Sequence, residues 1–482
     1  MSPMLLLFFV VCYFALLLFI AYITSRGSTN ETFFIGNKSS NWLLVAFGMI
    51  GTSLSGVTFI SVPGTVNVAA FSYFQVVIGY FIGYFAVAFI LLPLYYRLNL
   101  TSIYSYLEQR LGIEAYKTGA LFFIISRTLG ATLRLYLVIN VMQLFILDKL
   151  GVPFLATTLI ILLMILLYTY NGGVKTIVWT DTLQTFFMLL ALVVCVVYIL
   201  SEINLGFGEA LTAMNAKGFA QIFSFNPQDK KFFVKQILGG AFITISMTGL
   251  DQEMMQKNIS VKRLGDSQKN MMTFSTIMVL VNFLFLLLGG LLYLFAEKHG
   301  ISQTGDAIFP TIALDYLPPV ISIIFIIGLI SALFPSADGA ITALTSSFCI
   351  DMLGIKRNPN LSDAQQAQIR KTVHLSFAAV FLLCVLFFKW LNNSSIIFIL
   401  LDIAGYTYGP LLGLFAFGIL TKFQVHGKAV VAVCLAAPAV CYGLNTFSEV
   451  LFSGYKFGIE MLLINGVLTF AGLWLARKTS AQ

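Results

Sequence analysis

The residues best suited to chemistry lie between Ser331 and Met352, in the stretch SALFPSADGAITALTSSFCIDM. A proline, a carboxylate and a ladder of small and hydroxylated residues run there through a segment otherwise apolar enough to cross a bilayer. A lone charge at the middle of a membrane helix costs about 2.5–3.5 kcal/mol even on a lenient insertion scale. Asp338 therefore needs an ion, a proton or a cationic side chain as partner. Pro335 has no N–H, so the carbonyl of Ser331, four residues earlier, loses its donor and is left as an oxygen ligand for a hard cation. Ser336 adds a hydroxyl one turn from Ala332. Oxygen-only ligation with few carboxylates suits Na+ better than a transition metal, which takes imidazole or thiolate. The alternative is a proline-kinked helix with Asp338 paired to an arginine.

Other polar residues fall inside apolar segments: Arg127, Arg134, Asp181 and Asp402. Arg127 and Arg134 are seven apart and share a helix face. An inward-facing arginine suits a carboxylate or phosphate. The alternatives are a salt bridge to Asp181, Asp338 or Asp402, or for Arg127 snorkelling to the interface. Asp251 and Glu253 read as close enough to a span end to be solvated. The three histidines, His299, His374 and His426, fall near loops, which argues against a metal enzyme. The six cysteines (Cys12, Cys195, Cys349, Cys384, Cys434, Cys441) show no ligand spacing and read as buried small hydrophobes.

These residues need membrane helices to position them. The 482-residue chain is 59% hydrophobic and only 10% charged, with a mean hydropathy of +0.92. Soluble domains carry about 25% charged residues, so a soluble globular fold is excluded. The net charge of +8 does not point to nucleic acid, because the basic residues are spread over short loops. Spans of about 20 apolar residues are predicted at 4–24, 42–70, 71–96, 118–147, 152–170, 174–200, 232–256, 270–296, 317–352, 371–391, 394–421, 427–447 and 456–476. The first lacks a basic leader and a cleavage site and is kept as a span. Alternate loops hold Arg26 and Lys38; Arg97, Arg110 and Lys117; Lys175; Lys257, Lys262, Arg263 and Lys269; Lys356, Arg357, Arg370 and Lys371; Lys422 and Lys428; Arg477 and Lys478. By the positive-inside rule this puts the N-terminus outside and the C-terminus in the cytoplasm, across about thirteen helices of an all-α integral membrane protein. The 201–231 loop is the longest, lies outside and is predicted to hold a short amphipathic helix.

Two spans are interrupted. The second reads GMIGTSLSGVTFISVPGTVNVAAF and the seventh KQILGGAFITISMTGLDQEMMQ. Glycine costs a helix about 1 kcal/mol and proline about 3, so both are expected to unwind. Five spans separate their starts, as in two inverted five-helix repeats. The alternative is that glycine and proline serve close helix packing. The repeat reading gives one membrane domain: an extra helix at 4–24, a first repeat at 42–200, a second at 232–421 and two C-terminal helices at 427–476.

Four stretches carry a resemblance: SLSGVTFISVPG after Thr52, GGVKTIVWTDTLQ from Gly172, the Ser331–Met352 segment, and GYTYGPLLGLFAFGILTK from Gly405. From about Thr32 to Lys422 the chain resembles the sodium:solute symporter family. The resemblance implies a leucine-transporter-type core, and a main sodium site on the backbone carbonyls of Gly51, Leu54 and Ala332. Two adjacent hydroxyl positions of that site read Pro335 and Ser336 here; Ser336 matches, while Pro335 removes a ligand. Some relatives hold a second sodium between the aspartate of the WTD motif, here Asp181, and hydroxyls that fall at Ala337 and Asp338. This leaves open a second Na+ held differently, a proton on Asp338, or a pair of Asp338 with Arg134. Substrate contacts carried over by position are Ser53, Ser55, Thr58, Asn67 and Gln75. Arg134 falls near where sialic acid carriers place a carboxylate-binding arginine, so the resemblance leans to an acidic solute, with a sugar or polyol as the alternative.

The expected function is Na+-driven import of a small organic solute by alternating access, with Na+ as coupling ion and the bilayer as surroundings. No feature calls for an obligatory protein partner. One Na+ crossing about 100 mV gains ~2.3 kcal/mol and a tenfold gradient ~1.4, enough for several hundredfold accumulation. A proton-coupled symporter is the near rival, kept alive by Asp338. A sensor should carry an appended signalling domain, a channel a pore-lining ring, and a membrane enzyme clustered catalytic groups at one interface.

Overall fold

In a bilayer every backbone N–H and C=O must be satisfied within the chain, which leaves helices as the means for apolar runs to cross. The structure, a computed structural model, describes residues 3–24, 40–100, 102–391, 396–452, 454–455 and 457–478, apart from the side chains at 3, 171–175, 396 and 398. No β-strand occurs among them; isolated bridges such as Ser40 with Val261 tie loops together. Arg26 and Lys38 lie outside the described residues, as does the Lys175 side chain.

The helices are α1 (Pro3–Thr24), α2 (Trp42–Ser53), α3 (Gly56–Gly64), α4 (Tyr73–Ala86), α5 (Ile113–Met142), α6 (Phe154–Ile203), α7 (Phe207–Ala216), α8 (Phe233–Thr244), α9 (Gln252–Ile259), α10 (Leu264–His299), α11 (Pro319–Ser347), α12 (Asp363–Leu391), α13 (Ile396–Leu420), α14 (Gly427–Thr446) and α15 (Met461–Leu475). Short helices and turns between them are left unlabelled. Among the described residues, nine helices are long and apolar enough to cross a membrane. Within α6 the apolar stretches are Phe154–Tyr170 and Thr176–Ile203. The short helix expected in the 201–231 loop is α7.

Both expected interruptions are present. α2 and α3 meet at 53°, and the helix Phe233–Gly249 meets α9 at 64°. The broken helices pack with α4 and α10, while α5, α11 and α12 pack on one another and on α6. The site lies where these two groups face each other.

Loops sort by end. Lys117 Nζ donates to the carbonyls of Asp351 and Met352 at 2.6 and 2.7 Å, Arg357 pairs with Glu108, and Arg110 Nε donates to Gly418 O at 3.1 Å. The Arg357 guanidinium beside Glu108 holds its carboxyl below the usual range. The opposite end gathers other loops: Tyr293 Oη donates to Gly64 O at 2.6 Å, and Phe71 N–H to Gln221 O at 3.1 Å. The loops carrying Arg110, Lys117 and Arg357 thus meet at one end.

Candidate functional site

The first break is two residues long. Ser53 ends α2, Leu54 and Ser55 leave helical geometry (Leu54 ψ 80°, Ser55 ψ 177°), and Gly56 starts α3. Gly51 has no room for a side chain: a Cβ would collide with Thr185 Oγ1 and lie 3.4 Å from both Asp181 O and Pro335 Cγ. The last turn of α2 therefore rests against α6 and the proline turn of α11. Ala332 and Ser336, each within a turn of Pro335, are fully buried. The Ser336 hydroxyl donates to Leu333 O at 2.8 Å, and that of Ser331 to Tyr13 Oη on α1 at 2.6 Å.

Beside this contact lies a cavity. Ser53, Ser55 and Thr58 line it from the first break, Tyr73, Tyr80 and Tyr84 from α4, Thr244, Met247 and Thr248 from the helix before the second break, and Arg134 from α5. Arg134 is buried, its Nε has no hydrogen-bond partner, and it makes no ion pair among the described residues. A desolvated, unpaired guanidinium is costly, so its placement here points to an anionic group arriving with a ligand.

The structure does not bring two expected contacts into this cavity. Asn67 lines a separate cavity at the end of the bundle holding Lys217 and Lys231. Gln75 is buried with its amide nitrogen on the carbonyls of Ser72 and Lys231, at 3.1 and 3.2 Å. Asn67 lies beyond α3, and Gln75, though on the helix that brings Tyr73, Tyr80 and Tyr84 to the cavity, turns its amide to Ser72 and Lys231 instead.

The second break holds the largest departures from the sequence reading. Asp251 and Glu253, expected to be solvated, are 0% and 2% exposed. Asp251 caps α9 by accepting from Met254 N–H at 3.1 Å and accepts from Tyr408 Oη at 2.9 Å. Arg127 forms a salt bridge, as one reading expected, but with Glu253 and with Asp251 at 3.9 Å rather than with Asp181, Asp338 or Asp402. Lys257, assigned to a loop, is 2% exposed; its ammonium lies 2.6 Å from Asp181 Oδ2, 2.5 Å from Thr52 Oγ1 and 3.7 Å from Glu253 Oε1. Sequence spacing held a usable signal: a cap at Asp251 starts a helix that sets Glu253 and Lys257 one turn apart on one face.

Asp338 is fully buried and pairs with no arginine among the described residues. It accepts from Tyr168 Oη at 2.7 Å and from Gly339 N–H at 2.5 Å. Gly339 is needed because a Cβ there would strike Glu253. Asp402 is exposed beside Lys230 rather than within the core. His374, expected near a loop, is buried between Thr169 Oγ1 (3.0 Å) and Thr345 Oγ1 (3.1 Å). No cluster of His, Cys, Asp and Glu fit for a metal occurs among the described residues.

Residues 33–432 match the model of the sodium:solute symporter family. The chain belongs to this family. It is thus a multi-pass, sodium-coupled transporter of a small solute, and sodium is its coupling ion. The symporter is 23% identical to the sodium/sialic acid symporter NanT of Aliivibrio fischeri, over 92% of this chain and 88% of that one. It is 22% identical to the sodium/sialic acid symporter SiaT of Proteus mirabilis, over 88% and 86%. Its fold is similar to that of a Na+-coupled sialic acid symporter solved substrate-bound and outward-open, with a TM-score of 0.84, 19% identity and 98% of each chain covered. It is also similar to the nucleobase-cation symporter Mhp1 in a closed conformation, with a TM-score of 0.56, 13% identity, and 92% and 93% covered. The symporter therefore has the leucine-transporter-type fold expected from its sequence.

Proposed function

We propose that this symporter imports a carboxylate-bearing organic solute, such as a sialic acid or another small organic acid, with its carboxylate on Arg134 and its polar groups on Ser53, Ser55 and Thr58. The observation that carries the reading is Arg134 itself: buried, without an ion pair among the described residues, and lining the cavity at the first break. The sialic acid symporters among its relatives support the same class. Sodium is read at the carbonyls of Gly51, Leu54 and Ala332 with the Ser336 hydroxyl, Pro335 contributing shape and no ligand. The contact of Gly51 with Pro335 supports this. In this reading sodium fastens the first break to α11 and its release on the inner side lets them part. The repeats run 42–200 and 232–421, the N-terminus lies outside, and the protein works in the cell membrane.

The test is uptake of labelled sialic acid and other small acids into proteoliposomes under a sodium gradient. Wild type accumulates the true solute and Arg134→Ala does not. Full uptake by Arg134→Ala, or a preference for neutral sugars, sinks the acidic-solute reading.

A second reading adds a proton carried on Asp338. Its full burial and the lack of any cation at ion-pair distance among the described residues favour it. Uptake raised by an inward proton gradient at fixed sodium would support this reading; uptake indifferent to that gradient would dismiss it.

A further inference from the structure

Lys257 is a cation fixed in a place built for one. Its ammonium sits among Thr52 Oγ1, Asp181 Oδ2 and Glu253 Oε1, at 2.5, 2.6 and 3.7 Å, drawn from α2, α6 and α9. The two shorter contacts are at or below the length usual for charge-assisted hydrogen bonds. Thr52 is held in place by its own bonds, donating to Gly48 O at 3.1 Å and to Asp181 Oδ2 at 3.3 Å. Asp181 is fully buried and Oδ1 has no hydrogen-bond partner. A buried carboxylate needs a compensating charge, and the lysine supplies it from within the chain.

We propose that the Lys257 ammonium occupies the cation position at Asp181 permanently, so that the symporter binds and carries one sodium ion where an exchangeable cation at Asp181 would make two. The inference rests on the sodium site proposed at Gly51, Leu54, Ala332 and Ser336, and concerns only how many ions travel. One observation beyond the lysine contacts supports it. Lys257 belongs to α9, beyond the second break, so its charge stays with that half-helix and is never released. The energetic consequence is plain. One sodium carried with a monoanion moves no net charge, so the membrane potential adds nothing and accumulation is limited to the sodium concentration ratio, about 1.4 kcal/mol per tenfold gradient.

The experiment counts sodium ions bound to purified, detergent-solubilised protein with radioactive 22Na+. Wild type is expected to bind one per chain. Lys257→Ala frees Thr52, Asp181 and Glu253 and is expected to bind two, the second lost in Lys257→Ala combined with Asp181→Asn and displaced by ethylammonium. A count of one for Lys257→Ala overturns the proposal. So does a count of two for wild type, which decides the matter even where Lys257→Ala fails to fold and leaves sodium coupling intact. A wild-type count of zero would instead overturn the sodium site itself.

Discussion

At the first break, the hydroxyls of Ser53, Ser55 and Thr58 line the cavity, and Gly51 brings backbone against Pro335. At the second, the carbonyls freed by unwinding are already taken: Tyr95 Oη donates to Gly249 O at 2.8 Å and Tyr104 Oη to Leu250 O at 2.9 Å. The side chains beyond it, Asp251, Glu253 and Lys257, are engaged with Arg127, Tyr408 and Asp181. The same local defect serves two ends. One break leaves polar groups for visitors, and the other commits its own to neighbouring helices. Chemistry that must open and close is therefore concentrated at the first, and the charge network that keeps the two helix groups in register at the second.

Removing Glu253 should be the harshest way to break this contrast. Glu253→Ala leaves Arg127 and Lys257 short of a buried partner and should destabilise the protein by about 3–5 kcal/mol, read as a lowered thermal midpoint in detergent. An unchanged midpoint would mean that the second break is not structural. Arg134→Ala should do the reverse, costing little stability but weakening acidic solute binding by about 10–150-fold, the worth of charge-assisted hydrogen bonds at about 1.5–3 kcal/mol. A collapse in stability with binding intact would place Arg134 with the scaffold. Tyr104→Phe strands the Leu250 carbonyl and should cost about 1–3 kcal/mol in denaturant unfolding, with sodium affinity retained. The mildest change is Ser336→Ala, which should raise the sodium half-saturation several-fold, about 1 kcal/mol for one oxygen; an unaltered value would remove Ser336 from the ligands.

Much of this arrangement could be read from the chain. Glycine and proline at Gly51, Gly56, Pro63 and Gly249 marked both interruptions, because their backbone costs act locally. Pro335, Ser336 and Asp338 stood out against an apolar background, and Arg134 was an inward candidate by depth alone. The charges of α9 were misassigned for a physical reason. Hydropathy treats Asp251, Glu253 and Lys257 as water-seeking, and only the 64° turn at the break, together with Arg127 and Asp181 on other helices, keeps them inside. Tyr168 as the partner of Asp338 was equally hidden, since nothing in the spacing of two helices fixes which tyrosine meets which carboxylate. Asn67 and Gln75 are candidates carried over by position from the resemblance, and position alone does not fix which way a side chain faces: Asn67 lines another cavity and Gln75 turns to Ser72 and Lys231.

The most direct test is a thermal-stability screen of small organic acids and sugars against the purified protein, each in sodium and in choline. The account expects an acid that stabilises wild type strongly in sodium, weakly in choline, and not at all with Arg134→Ala. A solute equally effective in choline would contradict it.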